Sequence, residues 1–469
     1  MARRKPRLVE NVTITGLADR GKVVGRDEEG RVIFVTGPAP GDVVDILVIK
    51  KRKGVFQGIV KEIKEYSKDR AEPFCSHFGV CGGCKWQHIA YEKQVAHKQT
   101  IVENALQRIA KVEIGEFQPI LGAEKTQYYR NKMEFSFSNR RWLTKEELDS
   151  GITNKAEVLG FHTPGTFDKV VDVEHCYLQG GLSNEIRNFI RVLSKEMELA
   201  FFDIRGVEGD MRNVIVRTSV LGELMVTVAF FKDEKEKREI FLDRLSEKFP
   251  DITSLNYAIN PKRNDTLTDI DIVNYKGRKY IYESLGEIKY KVSPKSFFQT
   301  NPYQAKNLFD VVVDFAEFQG DENVYDLYTG TGSIACYVAK NCKQVVGIEE
   351  VAPAIEDAKY NAEINNIENT VFYVGDVKDI LTDEFADKHG KPDILITDPP
   401  RAGMHQKVVD MLLKLEAPKV VYVSCNPATQ ARDLSLLSEK YDVAKVRPVD
   451  MFPHTHHIEN VALLKLRKS

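Results

Sequence analysis

No apolar run in this 469-residue chain approaches the ~20 residues of a membrane-crossing helix, so no membrane span is expected. The basic start, Met1-Ala2-Arg3-Arg4-Lys5-Pro6-Arg7, has no apolar core behind it and does not read as a signal peptide. It suits a nucleic-acid arm or a solvated terminus equally. Seven cysteines form no regular disulfide framework, and their odd number fits a reducing cytoplasm, the expected location. Internal repeats and low-complexity tracts are missing. Net charge is nearly missing too, at −2, but its distribution is uneven. Residues 1–70 carry 16 Lys and Arg against 10 Asp and Glu, a net of +6, which leaves −8 for the remainder. A basic N-terminal module on a mildly acidic body suits a phosphate-binding appendage. The length provides for roughly two to four domains.

What is present falls into three stretches. Residues 8–64 alternate as short strands, Val12–Thr15, Gly21–Val24, Arg31–Val35, Asp42–Lys50 and Val55–Ile63, with turns at Asp27-Glu28-Glu29-Gly30 and Gly37-Pro38-Ala39-Pro40-Gly41. Such spacing predicts a small β-barrel, with Lys50-Lys51-Arg52-Lys53 in the loop before its last strand. From Val12-Thr13-Ile14 through Gly58-Ile59-Val60 this stretch resembles a TRAM domain, which implies an OB-like barrel and contact with an RNA backbone. Residues 65–286 open with a cysteine- and glycine-rich segment. A helical pattern follows over 91–109, which can pack on the C-terminal domain, and then mixed α+β. Residues 287–469 alternate strands and helices regularly, predicting a doubly wound parallel sheet with an antiparallel last pair.

Motifs cluster at the predicted strand ends of that third stretch. Asp326-Leu327-Tyr328-Thr329-Gly330-Thr331-Gly332-Ser333 ends a strand and opens a helix, where glycines admit a ligand close to free N–H groups. Glu349, near the tip of the next strand, suits ribose hydroxyls, and Asp376 past the third suits an adenine amino group. Ala335 in place of a third glycine does not discriminate between cofactors. An acid four residues before the first glycine, Asp326, resembles the methyltransferase arrangement facing the cationic end of S-adenosylmethionine. That favours this cofactor over NAD.

Asp398-Pro399-Pro400-Arg401 follows the fourth strand as a loop stiffened by two fixed φ angles. Asp398 suits a base edge, and Arg401 a phosphate or carbonyl oxygen. Lys419–Ser424 reads as a buried strand aiming Cys425 at the crevice beyond the sheet, with Asn426-Pro427 ending it. Phe452-Pro453-His454-Thr455-His456-His457-Ile458-Glu459 precedes the last strand; its histidines join no further ligand pattern, so no metal is expected there.

Through Ser296-Phe297-Phe298-Gln299, Asp326–Gly332, Asp398–Arg401, Ser424–Pro427 and His457-Ile458-Glu459, the chain resembles the uracil-C5 RNA methyltransferases that act on 23S rRNA and tRNA. The resemblance implies a class I S-adenosylmethionine methyltransferase (Rossmann-like) domain. By position it implies Cys425 as nucleophile and Glu459 as general base. Gln299, Tyr328, Gly330, Ser333, Glu349, Asp376 and Asp398 would contact cofactor or base, although Ser333 stands where some members have asparagine. Uracil C5 is a poor nucleophile, so a thiolate adds at C6 first, and a base later removes the C5 proton. The target base must leave its stack to meet both groups.

Cys75-x5-Cys81-Gly82-Gly83-Cys84 with distant Cys176 offers four thiolates. Zinc is open on spacing alone, but the gap is long for a knuckle, and a [4Fe–4S] cluster suits one remote member at least as well. The resembled ribosomal-RNA subgroup carries such a cluster, which implies one here over zinc; with all four positions occupied, a structural role is expected. Cys336 and Cys342 read as core or surface thiols. The expected partner is 23S rRNA, with tRNA as the alternative and no obligate protein partner. Two rivals remain at this point. One is a tRNA T-loop uracil-C5 methyltransferase; bacterial tRNA members of the family lack the barrel and the four cysteines, but cluster-bearing relatives that act on tRNA exist. The other is a non-catalytic RNA-binding or ribosome-assembly factor, against which Cys425, Glu459 and the Gly330/Gly332 loop all speak.

Overall fold

The computed structural model describes residues 7–18, 21–52 and 54–468; the basic segment 1–6 and Lys53 lie outside the described residues. Strands β1 (Arg7–Leu17), β2 (Val23–Arg26), β3 (Val32–Val35), β4 (Val43–Arg52) and β5 (Val55–Glu65) close a five-stranded barrel. Alternate residues Val12, Ile14, Ile33, Val35, Val44 and Ile46 fill it, as a period of two requires. Lys50 and Lys51 are not in a loop, as expected from sequence, but on β4. The β4–β5 ladder continues through Lys51 opposite Phe56, and the Lys51 ammonium lies 5.3 Å from the Phe56 ring. The buried Asp42 carboxylate docks the barrel: it accepts N–H groups from Ala39 (2.7 Å) and Ser67 (2.8 Å) and pairs with Arg70 (2.7 Å).

After the cysteine segment, the Tyr91–Ala105 helix ends in a single π turn, Leu106–Ala110, and leads to β6 (Ile114–Phe117). A seven-stranded sheet then forms from β7 (Lys132–Arg140), β8 (Lys155–His162), β9 (Val170–Asp172), β10 (Met211–Thr218), β11 (Leu224–Phe230), β12 (Ser254–Ile259) and β13 (Ile272–Gly277). Its order is β13-β12-β11-β10-β7-β8-β9. The Ser183–Glu196 and Lys235–Lys248 helices bury Ile186, Ile190, Phe241 and Leu245 in the core they share with this sheet. A two-stranded ribbon, β14 (Ile281–Leu285) and β15 (Ile288–Val292), follows.

The last layer contains β16 (Asn323–Leu327), β17 (Gln344–Glu349), β18 (Thr370–Val374), β19 (Ile394–Thr397), β20 (Lys419–Ser424), β21 (Tyr441–Val449) and β22 (Glu459–Leu466). The order is β18-β17-β16-β19-β20-β22-β21-β6, parallel among β16–β20 and antiparallel where β22 inserts. Strands such as Val420–Val423 are buried on both faces, which is why they read as continuous apolar runs. β6 was not foreseen from the sequence as part of this layer. It pairs in parallel with β21, and the π turn before it packs on the Pro427–Leu437 helix. Strand order reverses between β16 and β19, which opens a crevice beyond their carboxyl ends.

Candidate active site

That crevice is a cleft of about 1800 Å³ between the last layer and the seven-stranded sheet. Gln299, Tyr328, Gly330, Glu349, Asp376, Asp398, Cys425 and Glu459 all line it. Ser333 does not. It sits in the first turn of its helix, its hydroxyl 3.2 Å from that of Thr331 and its carbonyl accepting the Tyr290 hydroxyl at 2.8 Å. Asp326 does not line the cleft either. The fully buried carboxylate is turned back into the loop, accepting from Thr329 Oγ1 (2.5 Å) and the Ala335 N–H (3.1 Å), and burial pushes it up to about 7. It braces the glycine loop instead of meeting a cationic ligand.

The loop geometry suits a close ligand. Gly330 has φ of +56°, and a Cβ there would point into open space, so the backbone is bare toward the cleft. Tyr328 just before it holds φ of +63°, a left-handed conformation that costs a non-glycine residue about 1 kcal/mol or more. Glu349 ties the two strand ends together: Oε2 accepts the Gly330 N–H at 3.1 Å and Oε1 the Val351 N–H at 3.0 Å. Asp376 caps the short Val377–Ile380 helix, and its pairing with Lys378 holds the carboxyl below the usual range. The Asn131 amide fixes the Gln299 carbonyl at 3.2 Å.

Cys425 and Glu459 meet through strand register. β20 pairs with β22 through Ser424 opposite Asn460, so the next residue toward the cleft on each strand is Cys425 and Glu459. Gln430 locks this end: its amide donates to the carbonyls of Tyr422 (2.9 Å) and Asn460 (3.2 Å) and accepts from Asn460 (2.6 Å). Asn426 caps the Pro427–Leu437 helix and, with Thr429, holds the Arg401 carbonyl (3.0 and 3.2 Å). This brings the Arg401 side chain into hydrogen-bond contact with Cys425. Burial, then Glu459 and Asp398, push the thiol up to about 11, while Arg401 pulls it down. Burial and Asp398 likewise raise Glu459, again opposed by Arg401, and burial and Asp326 raise Asp398 to about 7. Among the described residues, Arg401 is thus the cation that opposes the rise of both Cys425 and Glu459. Arg401 follows β19 and Cys425 the next strand, β20, so the two meet across neighbouring strand ends.

Lys85, Arg130, Lys132 and Lys295 also line the cleft, interleaved with acids such as Glu134, Asp265 and Glu356, and Lys291 is paired with Asp357 at 2.8 Å. Phe297, 74% exposed, stands among them.

Cys75, Cys81, Cys84 and Cys176 line a separate cavity of about 320 Å³. Among the described residues no three or more His, Cys, Asp or Glu side chains are gathered tightly enough for a single metal ion. Burial pushes Cys81 up to about 11 and Cys84 to about 12. Backbone N–H groups nevertheless aim at sulfur: Gly83 donates to Cys81 at 3.4 Å, and others at residues 77, 78, 178 and 179 serve Cys75 and Cys176. A Cβ on Gly82 would meet the His162 carbonyl at 2.3 Å, so only glycine lets this loop press on β8. Cys336 and Cys342 are both buried core thiols.

Comparison with known proteins adds an independent line. The family model described as tRNA (Uracil-5-)-methyltransferase matches residues 213–467, and the TRAM domain model matches residues 3–61. A Bacteroides thetaiotaomicron protein described as an uncharacterized RNA methyltransferase is 52% identical over 455 residues, 96% of this chain and all of that one. A Porphyromonas gingivalis protein with the same description is 52% identical over 96% of this chain and 98% of its own. Among solved structures, the Pyrococcus abyssi tRNA (uracil-54, C5)-methyltransferase in complex with S-adenosyl-L-homocysteine superposes with a TM-score of 0.75. Its identity is 28%, covering 96% of this chain and 99% of that one. Because the family model spans more than half the residues, including β16 through β22, the chain belongs to the tRNA (uracil-5-)-methyltransferase family and carries a TRAM domain ahead of its catalytic part.

Proposed function

We propose that this protein methylates C5 of a uridine in 23S rRNA, using S-adenosylmethionine. The observation that carries the reaction class is the pairing of Cys425 with Glu459 across β20 and β22, beside Arg401. When bound, S-adenosylmethionine supplies an electrophilic methyl group. Gly330, Glu349 and Asp376 are the residues suited to hold its backbone-facing, ribose and adenine parts. Cys425 adds to C6 as the thiolate, and the electron density pushed onto C5 takes the methyl. Glu459 then removes the C5 proton; the C–H pair re-forms the C5–C6 double bond, and sulfur leaves with the C6–S pair. Asp398 and Gln299 line the same space and suit the uracil edge.

The ribosomal substrate rests on the barrel and the four cysteines, which bacterial tRNA members of the resembled family lack. One observation favours a tRNA T-loop uridine instead. The Pyrococcus abyssi tRNA enzyme matches nearly this whole chain, so the barrel alone does not separate the two substrates. Mapping 5-methyluridine by mass spectrometry in rRNA and tRNA from a deletion strain tests the choice. One or more 23S uridines should lose the methyl while tRNA keeps it; the reverse pattern makes the enzyme a tRNA methyltransferase.

We also propose that Cys75, Cys81, Cys84 and Cys176 hold a [4Fe–4S] cluster in their shared cavity. Thiols forced toward protonation by burial gain most from a cationic occupant, and N–H groups aimed at sulfur suit a thiolate-ligated one. Its contribution would be structural, joining the 75–84 loop to Cys176 across about a hundred residues of chain. Protein purified without oxygen should be brown, with about four irons and about four sulfides per chain. A colourless protein containing zinc would sink this assignment.

A further inference from the structure

The turn between β21 and β22, which delivers Glu459, is held mostly by residues some 360 positions earlier in the chain. His454, at its apex, is buried and holds φ of +63°. Gln94, fully buried on the Tyr91–Ala105 helix, grips it from both sides: Oε1 accepts the His454 N–H at 2.9 Å, and Nε2 lies 3.1 Å from His454 Nδ1. The same Gln94 amide nitrogen donates to the carbonyls of Trp86 (3.0 Å) and Ile89 (2.8 Å). In return the His454 carbonyl accepts the N–H groups of Lys85 (2.8 Å) and Trp86 (3.1 Å), next to Cys84. Burial holds His454 down to about 4, so the ring is neutral; the two amide protons of Gln94 go to Trp86 and Ile89, and its firm hold on His454 is the backbone N–H accepted by Oε1. Within the turn, Thr455 Oγ1 donates to the Phe452 carbonyl at 2.8 Å and accepts the His457 N–H at 3.2 Å.

We propose that Gln94 is a positioning residue for the proton-removal step, acting through His454 on Glu459. The inference rests on the reading of Glu459 as the base. Gln94 does not line the cleft, and it touches neither Cys425 nor the glycine loop. What it supplies is compensation for an unfavourable backbone: a non-glycine residue leaves the left-handed region unless its surroundings hold it there. Freed, the turn relaxes five residues upstream of Glu459, and displacement of a reacting group by about 1 Å costs on the order of 10²-fold in rate. Cys425 enters from β20, whose position depends on Gln430 and the Asn426 cap, so addition and methyl transfer do not need Gln94. Gln430 also bonds Asn460 beside Glu459, so that support is shared, and Gln94 is the additional one on the Glu459 side alone.

The test uses the full-length protein with S-adenosylmethionine and unmodified 23S rRNA and tRNA transcripts in parallel. Gln94→Met keeps the volume and removes every hydrogen bond. His454→Ala, outside the cleft lining, and Thr455→Val, whose residue lines the cleft, loosen the same turn from inside. Single-turnover formation and decay of the covalent protein–RNA adduct are followed on denaturing gels. In all these variants adduct decay should slow at least about tenfold while its formation stays within about threefold. Equal slowing of both steps, or of neither, overturns the proposal; should Gln94→Met fail to fold, His454→Ala decides by the same criterion. Glu459→Gln run alongside separates the readings. If it traps no adduct, Glu459 is not the base; if it traps adduct while the turn variants do not, only the role of Gln94 falls.

Discussion

Exchanging Cys425 for alanine should lower methyl transfer to RNA by at least ~10⁴-fold, to background, with S-adenosylmethionine affinity kept within a few-fold. No other cysteine among the described residues lines the catalytic cleft, and Cys336 and Cys342 are buried in the core, so no second thiol can substitute. Cofactor affinity should survive because Gly330, Glu349 and Asp376 follow β16, β17 and β18, on the other side of the strand-order reversal from Cys425. Isotope transfer from labelled S-adenosylmethionine and calorimetric titration check the two parts separately. Turnover by the alanine variant would remove Cys425 from the nucleophile role. A pH dependence accompanies this. The reactive form is the deprotonated one, and the thiol is pushed up to about 11 in the ligand-free chain. Adduct formation should therefore rise with pH, by roughly tenfold per unit well below that value, unless bound RNA or cofactor lowers it.

Glu459→Gln should have the second-largest effect and a different signature. Glutamine is nearly isosteric and keeps a hydrogen-bonding head, but it cannot take a proton. Addition and methylation should proceed, and the methylated uracil should stay bound to Cys425 as an adduct that survives denaturing electrophoresis. In the wild type, burial and Asp398 raise the Glu459 carboxyl, and only its ionised form accepts the C5 proton. Product release should therefore fall as the medium is acidified through that raised value. Intact RNA binding without any adduct in the glutamine variant would exclude Glu459 as the base.

The site was legible in the sequence where contiguous residues mark a strand end. Tyr328–Gly330, Asp398–Arg401 and Ser424–Asn426 each combine an apolar run with a breaker, and the sheet brings such ends to one rim. The details that escaped depend on direction or distance. Asp326 lies on β16 itself, where the orientation of a side chain is set by packing that no motif encodes, and it turns inward. Ser333 is one residue beyond the open part of its loop. Lys50 and Lys51 looked like loop residues because lysine is poor in strands, yet pairing with Gln57 and Phe56 overrides that preference. β6 is four residues long and was invisible because its partner, β21, lies more than three hundred residues later. Gln94 gave no signal at all; a buried polar residue on a helix shows its purpose only when its partners are seen.

β6 changes what kind of object the enzyme is. The Tyr91–Ala105 helix and β6 precede the seven-stranded sheet in the chain, while the ribbon and β16–β22 follow it. The seven-stranded sheet is thus an excursion that departs from the catalytic layer and returns to it. A lobe leashed at one point can swing open; one moored at both ends, and again through the Tyr129 hydroxyl, which donates to the Pro453 carbonyl at 3.0 Å, has less freedom to do so. Two chain crossings favour a cleft of steady width. Adaptation falls to the nucleic acid, which must unfold locally and extrude its uridine to fit, so that enzyme selectivity becomes a question of which RNA loops yield most easily.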